Sequence, residues 1–368
     1  MDLEHDQRVV MTLDAGGTNF VFSAIRAKKE IVLPITLPSN AHNLDDCLAT
    51  IVRGFAEIKK SLPISPIAIS FAFPGPADYV AGIIGDLGNL PAFRGGIALG
   101  PMLSGKFSLP VFINNDGDLF AYGEAIAGFL PHVNEELEES GSPKHFSNLF
   151  GITLGTGFGG GIVRNGELFI GDNSGAGEIW LMRNKVHSGI NAEEGASIRA
   201  VQRVYAEHAG IAFAQAPTPK EIYEIGKGAR EGNQSAAFEA YRQLGEVVGD
   251  ALANAITLID GLIVIGGGLS GAHSLFLPSL VREMNDNYHL SDSRSYPRLE
   301  VEVFNLEEPD QRSVFVAGAT KEVMVPGTSR KVKYDPLRRI GVGISKLGTS
   351  EAVAIGAYAF ALHALDNK

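Results

Sequence analysis

Asp116 is the residue best placed to do chemistry. Asn115-Asp116 lies where an apolar run, Val111 to Ile113, opens into a helical pattern over Leu119–Phe129. A carboxylate near the start of a helix is favoured in its ionised form by the dipole there. Such a carboxylate can take the proton of an attacking hydroxyl. Phosphoryl transfer asks for little beyond that, positioning and charge neutralisation. The same pattern fits a helix N-cap at Asp116 or Asp118, and the local residues leave both readings open.

Three glycine turns supply a second kind of chemistry. They are Asp14-Ala15-Gly16-Gly17-Thr18-Asn19, the run from Gly155-Thr156-Gly157 to Gly161, and Gly266-Gly267-Gly268. Each follows a buried apolar run. Without a Cβ, main-chain N–H groups can close around phosphate oxygens. Asp14, at the mouth of the first turn, is placed either to hold Mg²⁺ against those phosphates or to cap an Asx turn.

The second turn also fits G-x-G-x-x-G, with Glu178 downstream. A dinucleotide fingerprint needs a helix after its glycines. Here Ile162-Val163-Arg164 reads as a strand ending at the hairpin signal Asn165-Gly166. No G-x-x-x-x-G-K-[ST] occurs, which excludes a P-loop.

The elements that must position these residues read as α/β. Val9–Leu13 and Phe20–Ile25 form a hairpin. Asn43 caps a helix with an apolar stripe of Leu44, Cys47, Leu48, Ile51, Phe55 and Ile58, so Cys47 is core. Strands are expected at Pro66–Phe73, Leu149–Leu154, Leu262–Ile265 and Leu299–Phe304. Helices are expected near 192–208, 218–230, 234–258, 275–288 and Glu351–Leu365, with Gly356 where another backbone comes close. The polar stretch Asn134–Ser147 reads as a solvated excursion. Each half opens with strand, glycine turn and returning strand, a weak internal duplication.

The chain has 368 residues, enough for two domains, with 45% hydrophobic and 20% charged residues. A net charge of −11 disfavours nucleic acid and anionic membrane as main partners. The short basic run Arg330, Lys331, Lys333, Arg338, Arg339 is expected to be a solvated loop. One cysteine forbids an internal disulfide or a cysteine-built zinc site. An acidic N-terminus and the lack of a long apolar run lead to the expectation of a cytoplasmic protein.

Taken together, these segments resemble the ROK family (repressors, uncharacterised frames and sugar kinases), over about residues 8–305 and 341–365. Leu13 to Asn19 resembles the family's first phosphate motif. Pro74-Gly75-Pro76 with Gly88-Asn89-Leu90-Pro91 is similar to its sugar loop, and Asn115-Asp116-Gly117-Asp118 to its catalytic motif. Leu154–Val163 with Gly175-Ala176-Gly177-Glu178-Ile179 resembles its longest signature, and Val264 to Ser270 its adenosine motif.

The resemblance implies an actin-like ATPase (ribonuclease H-like) α/β fold with two lobes around a central cleft. Residues 1–118 plus 350–368 would form one lobe and 119–349 the other. It implies MgATP:hexose phosphotransfer with Asp116 as general base and Asp14 as metal ligand. Gly16, Gly17, Thr18, Asn19, Gly155, Thr156, Gly157, Gly266, Gly267 and Gly268 would face ATP. Asn89, Asn115, Asp116, Glu178 and Glu193 would contact sugar hydroxyls, with Glu194 as an alternative to Glu193.

Two departures matter. Trp180-Leu181 stands where the family has G-H, and no cysteine-rich zinc loop follows, so no zinc is expected. The histidine normally reaches the sugar; His187 could stand in, though a surface role suits it better. Residues 306–340 have no family counterpart, and a subunit contact (a homodimer) and a lid both stay open for them. The rival reading is a sugar-sensing regulator. It would need an N-terminal DNA-binding domain, for which the strand at Val9 leaves no room. A polyphosphate-using kinase is a third reading.

Overall fold

The computed structural model describes residues 3–88 and 90–367. Two six-stranded sheets carry the architecture. The first has the order Lys29–Glu30, Asn19–Arg26, Val10–Ala15, Ala68–Ala72, Val111–Asn114, with Ile35–Pro38 also paired to Asn19–Arg26. The second runs Glu167–Phe169, Phe158–Arg164, Leu149–Leu154, Leu262–Gly266, Arg339–Ile344, Glu302–Asn305.

Both sheets share one plan. Val10–Ala15 is antiparallel to the strand that follows its glycine turn and parallel to Ala68–Ala72. Leu149–Leu154 is antiparallel to Phe158–Arg164 and parallel to Leu262–Gly266. The duplication expected from the two glycine turns is thus present in the topology. Ala68–Ala72 and Leu262–Gly266 are buried at every residue, as central parallel strands covered on both faces should be.

The helix Leu44–Ser61 forms as its pattern predicts. Asn43 caps it, and Cys47, Ile51, Phe55 and Ile58 face the first core. The last helix, Thr349–Asp366, returns to pack on Asp116–Ala127 and on Ala68–Ala72. Where these two helices cross, a Cβ on Gly356 would lie 2.0 Å from the Leu119 carbonyl oxygen, and one on Gly123 would lie 2.0 Å from that of Ala352. Glycine is required there for the backbones to touch.

Several expectations need correction. The helix read over Leu119–Phe129 breaks at Gly128, whose φ and ψ of −121° and −113° are non-helical. A second helix, Phe129–Glu139, then occupies the first six of the fourteen residues expected to be solvated. It buries Phe129, Leu130, Val133 and Leu137, a helical stripe that the surrounding charge concealed. The helix expected over 275–288 spans His273–Met284, and the strand expected from Leu299 starts at Glu302.

Residues 306–340 form a helix, Pro309–Ala317, and a hairpin, Lys321–Met324 with Lys331–Tyr334, that lead into a central strand. The basic run is therefore not simply a loop. Lys331 and Lys333 are exposed on the hairpin, but Arg339 is buried in the second sheet. It pairs with Asp335 at 2.6 Å, donates to the Phe315 carbonyl and lies over the Phe315 ring. The carboxylate of Asp335 answers the buried charge, and Nε and Nη1 are hydrogen-bonded while Nη2 has no partner. No helix among the described residues is long and apolar enough to cross a membrane.

Candidate functional site

Asp116 is the first residue of the helix Asp116–Ala127, and Asn115 is its N-cap. The Gly117 N–H donates to Asn115 Oδ1 at 2.8 Å and to Asp116 Oδ1 at 2.9 Å. The cap that the sequence offered to Asp116 or Asp118 thus belongs to Asn115. Asn115 Nδ2 donates to the Tyr79 hydroxyl at 3.4 Å, which donates to the Phe73 carbonyl at 2.9 Å. Tyr79 so ties the helix start to the loop carrying Pro74-Gly75-Pro76.

Asn115 and Asp116 line two cavities at once. The first, about 560 Å³, also takes in Asp14, Ala15, Pro74, Gly75 and Thr349. The second, about 410 Å³, takes in Gly155, Thr156, Gly157, Glu178, Trp180, Glu193 and Gly267. Ends of strands from both sheets therefore converge on Asp116.

The glycine turns divide into those required by packing and those that leave space. Gly16 allows a tight turn, since a Cβ there would lie 2.8 Å from the Asn19 carbonyl oxygen. Gly266 lies against the Phe120 ring. Gly267 has φ +86°, and a Cβ would clash with Leu154. A Cβ at Gly17 or Gly268, by contrast, would meet nothing within 4 Å. Gly155 N–H donates to the Gly157 carbonyl at 3.0 Å, and Gly267 N–H to Thr349 Oγ1 at 2.8 Å. With those two N–H groups engaged, the exposed turn from Gly16 to Thr18, the Thr156–Gly157 segment and Gly268 are the bare stretches of main chain that suit an anionic tail. Asn19 opens the returning strand.

Sequence reasoning missed the brace on the first turn. Buried Ser39 donates its hydroxyl to the Gly17 carbonyl at 2.7 Å, and its N–H to the Thr18 carbonyl at 2.9 Å. Nothing near Ser39 in sequence announces this, because the partner is a turn 22 residues earlier in the chain. Thr349 carried more signal: Gly348-Thr349-Ser350 precedes a helical run, the composition of a helix start.

Of the two glutamates proposed for one role, Glu193 faces the cavity and accepts from the Phe158 N–H at 3.1 Å. Gly157 has no Cβ to obstruct it; one would lie 2.7 Å from Glu193 Oε2. Arg199 lies 3.6 Å from Glu193 and 3.0 Å from Glu194, and Glu194, which lines neither cavity, also pairs with Arg203 at 3.3 Å. Glu178 lines the same cavity, and its Oε2 accepts from the Trp180 indole N–H. His187 is exposed and lines neither cavity. Asn89 lies outside the described residues.

Electrostatics favour a cation at this site. Asp14, Asp116, Glu178 and Glu193 line the cavities, and Asp118 is buried beneath, with no partner for its Oδ1. Crowding by protein raises the Asp116 carboxyl above its usual range; the Gly117 N–H pulls it back and the charge of Asp14 pushes it further up. The side chain stays open to cleft water, which screens part of that cost. Asp118 is raised well above the usual range by burial, then by Glu178 and Asp116. Two carboxylates facing one cavity, beside bare amides, fit Mg²⁺ carried on a polyphosphate, because Mg²⁺ keeps few protein ligands. Among the described residues, no three His, Cys, Asp or Glu side chains converge as a metal cage.

Two repeated sheets that converge on one cleft define an actin-like ATPase fold of the α/β class. The ROK family model matches residues 10–315, and the chain belongs to that family. Among solved structures, it is 57% identical to a glucokinase from Parabacteroides distasonis, with a TM-score of 0.92 over 99% of both chains. An N-acetyl-D-glucosamine kinase from Aliivibrio fischeri is 28% identical over 285 residues, 72% of this chain and 85% of that one. A ROK family glucokinase from Streptomyces griseus, solved with glucose and AMPPNP, shares the fold at a TM-score of 0.59 and 16% identity, over 95% of this chain and 98% of that one. These relatives support sugar kinase activity of the ROK type.

Proposed function

We propose that the protein is an ATP-dependent hexose kinase in which Asp116 is the general base. The observation that supports this best is the position of Asp116 on both cavities. Asp14 is on one, and Glu178, Glu193 and the glycine turn are on the other. The sugar would lie against Asn115, Glu178 and Glu193, whose acceptors suit paired hydroxyls. Asp116 would accept the proton of one hydroxyl as its oxygen attacks the γ-phosphorus; the bond to the ADP oxygen breaks, leaving sugar phosphate and ADP.

Asp14 would hold Mg²⁺, which when bound neutralises charge on the phosphates. The amides at Gly17, Thr156 and Gly268 would take the phosphate tail. We assign residues 1–118 plus 350–368 and 119–349 as the two lobes, with their boundary at the base. Asp14 and Asp116 facing one cavity favour a kinase over a regulator that only binds sugar.

A coupled ADP-release assay over hexoses, hexosamines and N-acetylated sugars, with ATP or polyphosphate as donor, tests the proposal. Turnover of a hexose with ATP is expected. Turnover of an N-acetylated sugar alone would move the substrate class, and no turnover of any sugar would overturn the reading.

A further inference from the structure

The chain replaces the family's G-H with Trp180-Leu181, and the two side chains part company. Leu181 is 59% exposed and faces a neighbouring apolar groove with Phe169, Met182 and Leu258, which meets the cavity only along Gly177 and Glu178. It does not reach the cavity shared by Asn115, Asp116, Glu178 and Glu193. Trp180 does: its ring lines that cavity and packs against the core behind it. Its indole N–H donates to Glu178 Oε2.

From this arrangement we infer that Trp180 is a specificity-determining residue of the sugar pocket, a reading that rests on the sugar-kinase proposal. The indole acts in two ways. By engaging one lone pair of Oε2 it leaves Oε1 the freer acceptor for a sugar hydroxyl, and it fixes where that oxygen points. Its face adds an apolar wall opposite polar groups, the usual composition of a pocket that selects a ligand by orientation. A bulky ring stands where the family has glycine, so the space beside Glu178 is narrower and more apolar than a histidine-bearing pocket would be. The ligand class is a pyranose with its hydroxyls toward Glu178 and Glu193 and C–H groups toward the ring.

Trp180 is the one tryptophan in the chain, so its emission reports on this pocket alone. The test titrates the wild-type protein, without nucleotide, with D-glucose and with N-acetyl-D-glucosamine, following emission and acrylamide quenching. The sugar that is phosphorylated should shift the emission and protect the indole from acrylamide. A sugar that is phosphorylated yet changes neither signal overturns the assignment and leaves the kinase reading intact. A sugar that changes both signals while neither sugar is phosphorylated by any donor supports the pocket and overturns the kinase reading. Trp180→Phe keeps a ring and removes the N–H; it should raise the sugar KM about tenfold, equivalent to about 1.4 kcal/mol, while the ATP KM stays unchanged. Equal rises in both KM values, or none in the sugar KM, would also overturn the assignment.

Discussion

Asp14 and Asp116 face one cavity from different strand ends, and the charge of Asp14 helps lift the Asp116 carboxyl above its ordinary range. One ends the first strand of the first sheet; the other begins the helix after that sheet's last strand. Proximity of two carboxylates costs stability until a cation sits between the phosphates and the protein. The same proximity gives Asp116 a higher affinity for a proton than an ordinary aspartate has, which suits the base proposed for it.

The pH profile should carry this signature. As the proposed base, Asp116 would have to be ionised to act, so activity should fall as pH drops through its raised pKa. The acid limb of kcat/KM for the sugar should therefore lie above the ordinary aspartate value of about 3.9. Asp116 is raised partly by Asp14, so Asp14→Asn should move that limb to lower pH in whatever activity it retains. An unmoved limb would mean the two carboxylates do not sense each other.

Asp118 makes a prediction about stability. Its carboxyl is raised by folding, so below the unfolded-state pKa it is protonated in both states and costs nothing extra. As pH rises above that value, the native state binds more protons than the unfolded state, and stability falls. Asp118→Asn removes that loss. Its stability relative to wild type should climb as pH rises above the ordinary aspartate value of about 3.9, in urea melts run at each pH. A difference that stays flat with pH would show that Asp118 ionises as freely folded as unfolded.

Ser39 should matter for nucleotide and not for sugar. Ser39→Ala removes the hydroxyl that steadies the Gly17 carbonyl, a bond with a net contribution of about 1 kcal/mol. The ATP KM should rise about fivefold with the sugar KM unchanged. A change confined to the sugar KM would separate this turn from the phosphates.

The crossing of the two glycine helices sets a fourth expectation. A methyl at Gly356 or Gly123 would have to displace a main-chain carbonyl of the other helix. Gly356→Ala and Gly123→Ala should each cost at least roughly 1–3 kcal/mol, read as a lower urea midpoint with an unchanged slope. A midpoint equal to wild type would mean the helices sit farther apart.

What could be read in advance was whatever depends on near neighbours. The Cys47 stripe, the hairpins at Gly16-Gly17 and Asn165-Gly166, and the closeness at Gly356 follow from local pattern, and each is present. Ser39, Arg339 and the split between Trp180 and Leu181 depend on what arrives from elsewhere in the chain. Arg339 looked like surface charge because its partners, Phe315 and an Asp335 in an irregular loop, carry no visible pairing signal. Val133 and Leu137 were hidden by acidic residues on the opposite face of their own helix.

The central claim is that Asp116 takes the proton of the sugar hydroxyl. Its most direct test is Asp116→Asn, nearly the same in shape, measured for sugar binding by calorimetry and for turnover by ADP release. The variant should bind sugar with a Kd within about threefold of wild type and turn over at a rate reduced at least about a hundredfold. A variant that phosphorylates its sugar at close to the parent rate would contradict that claim.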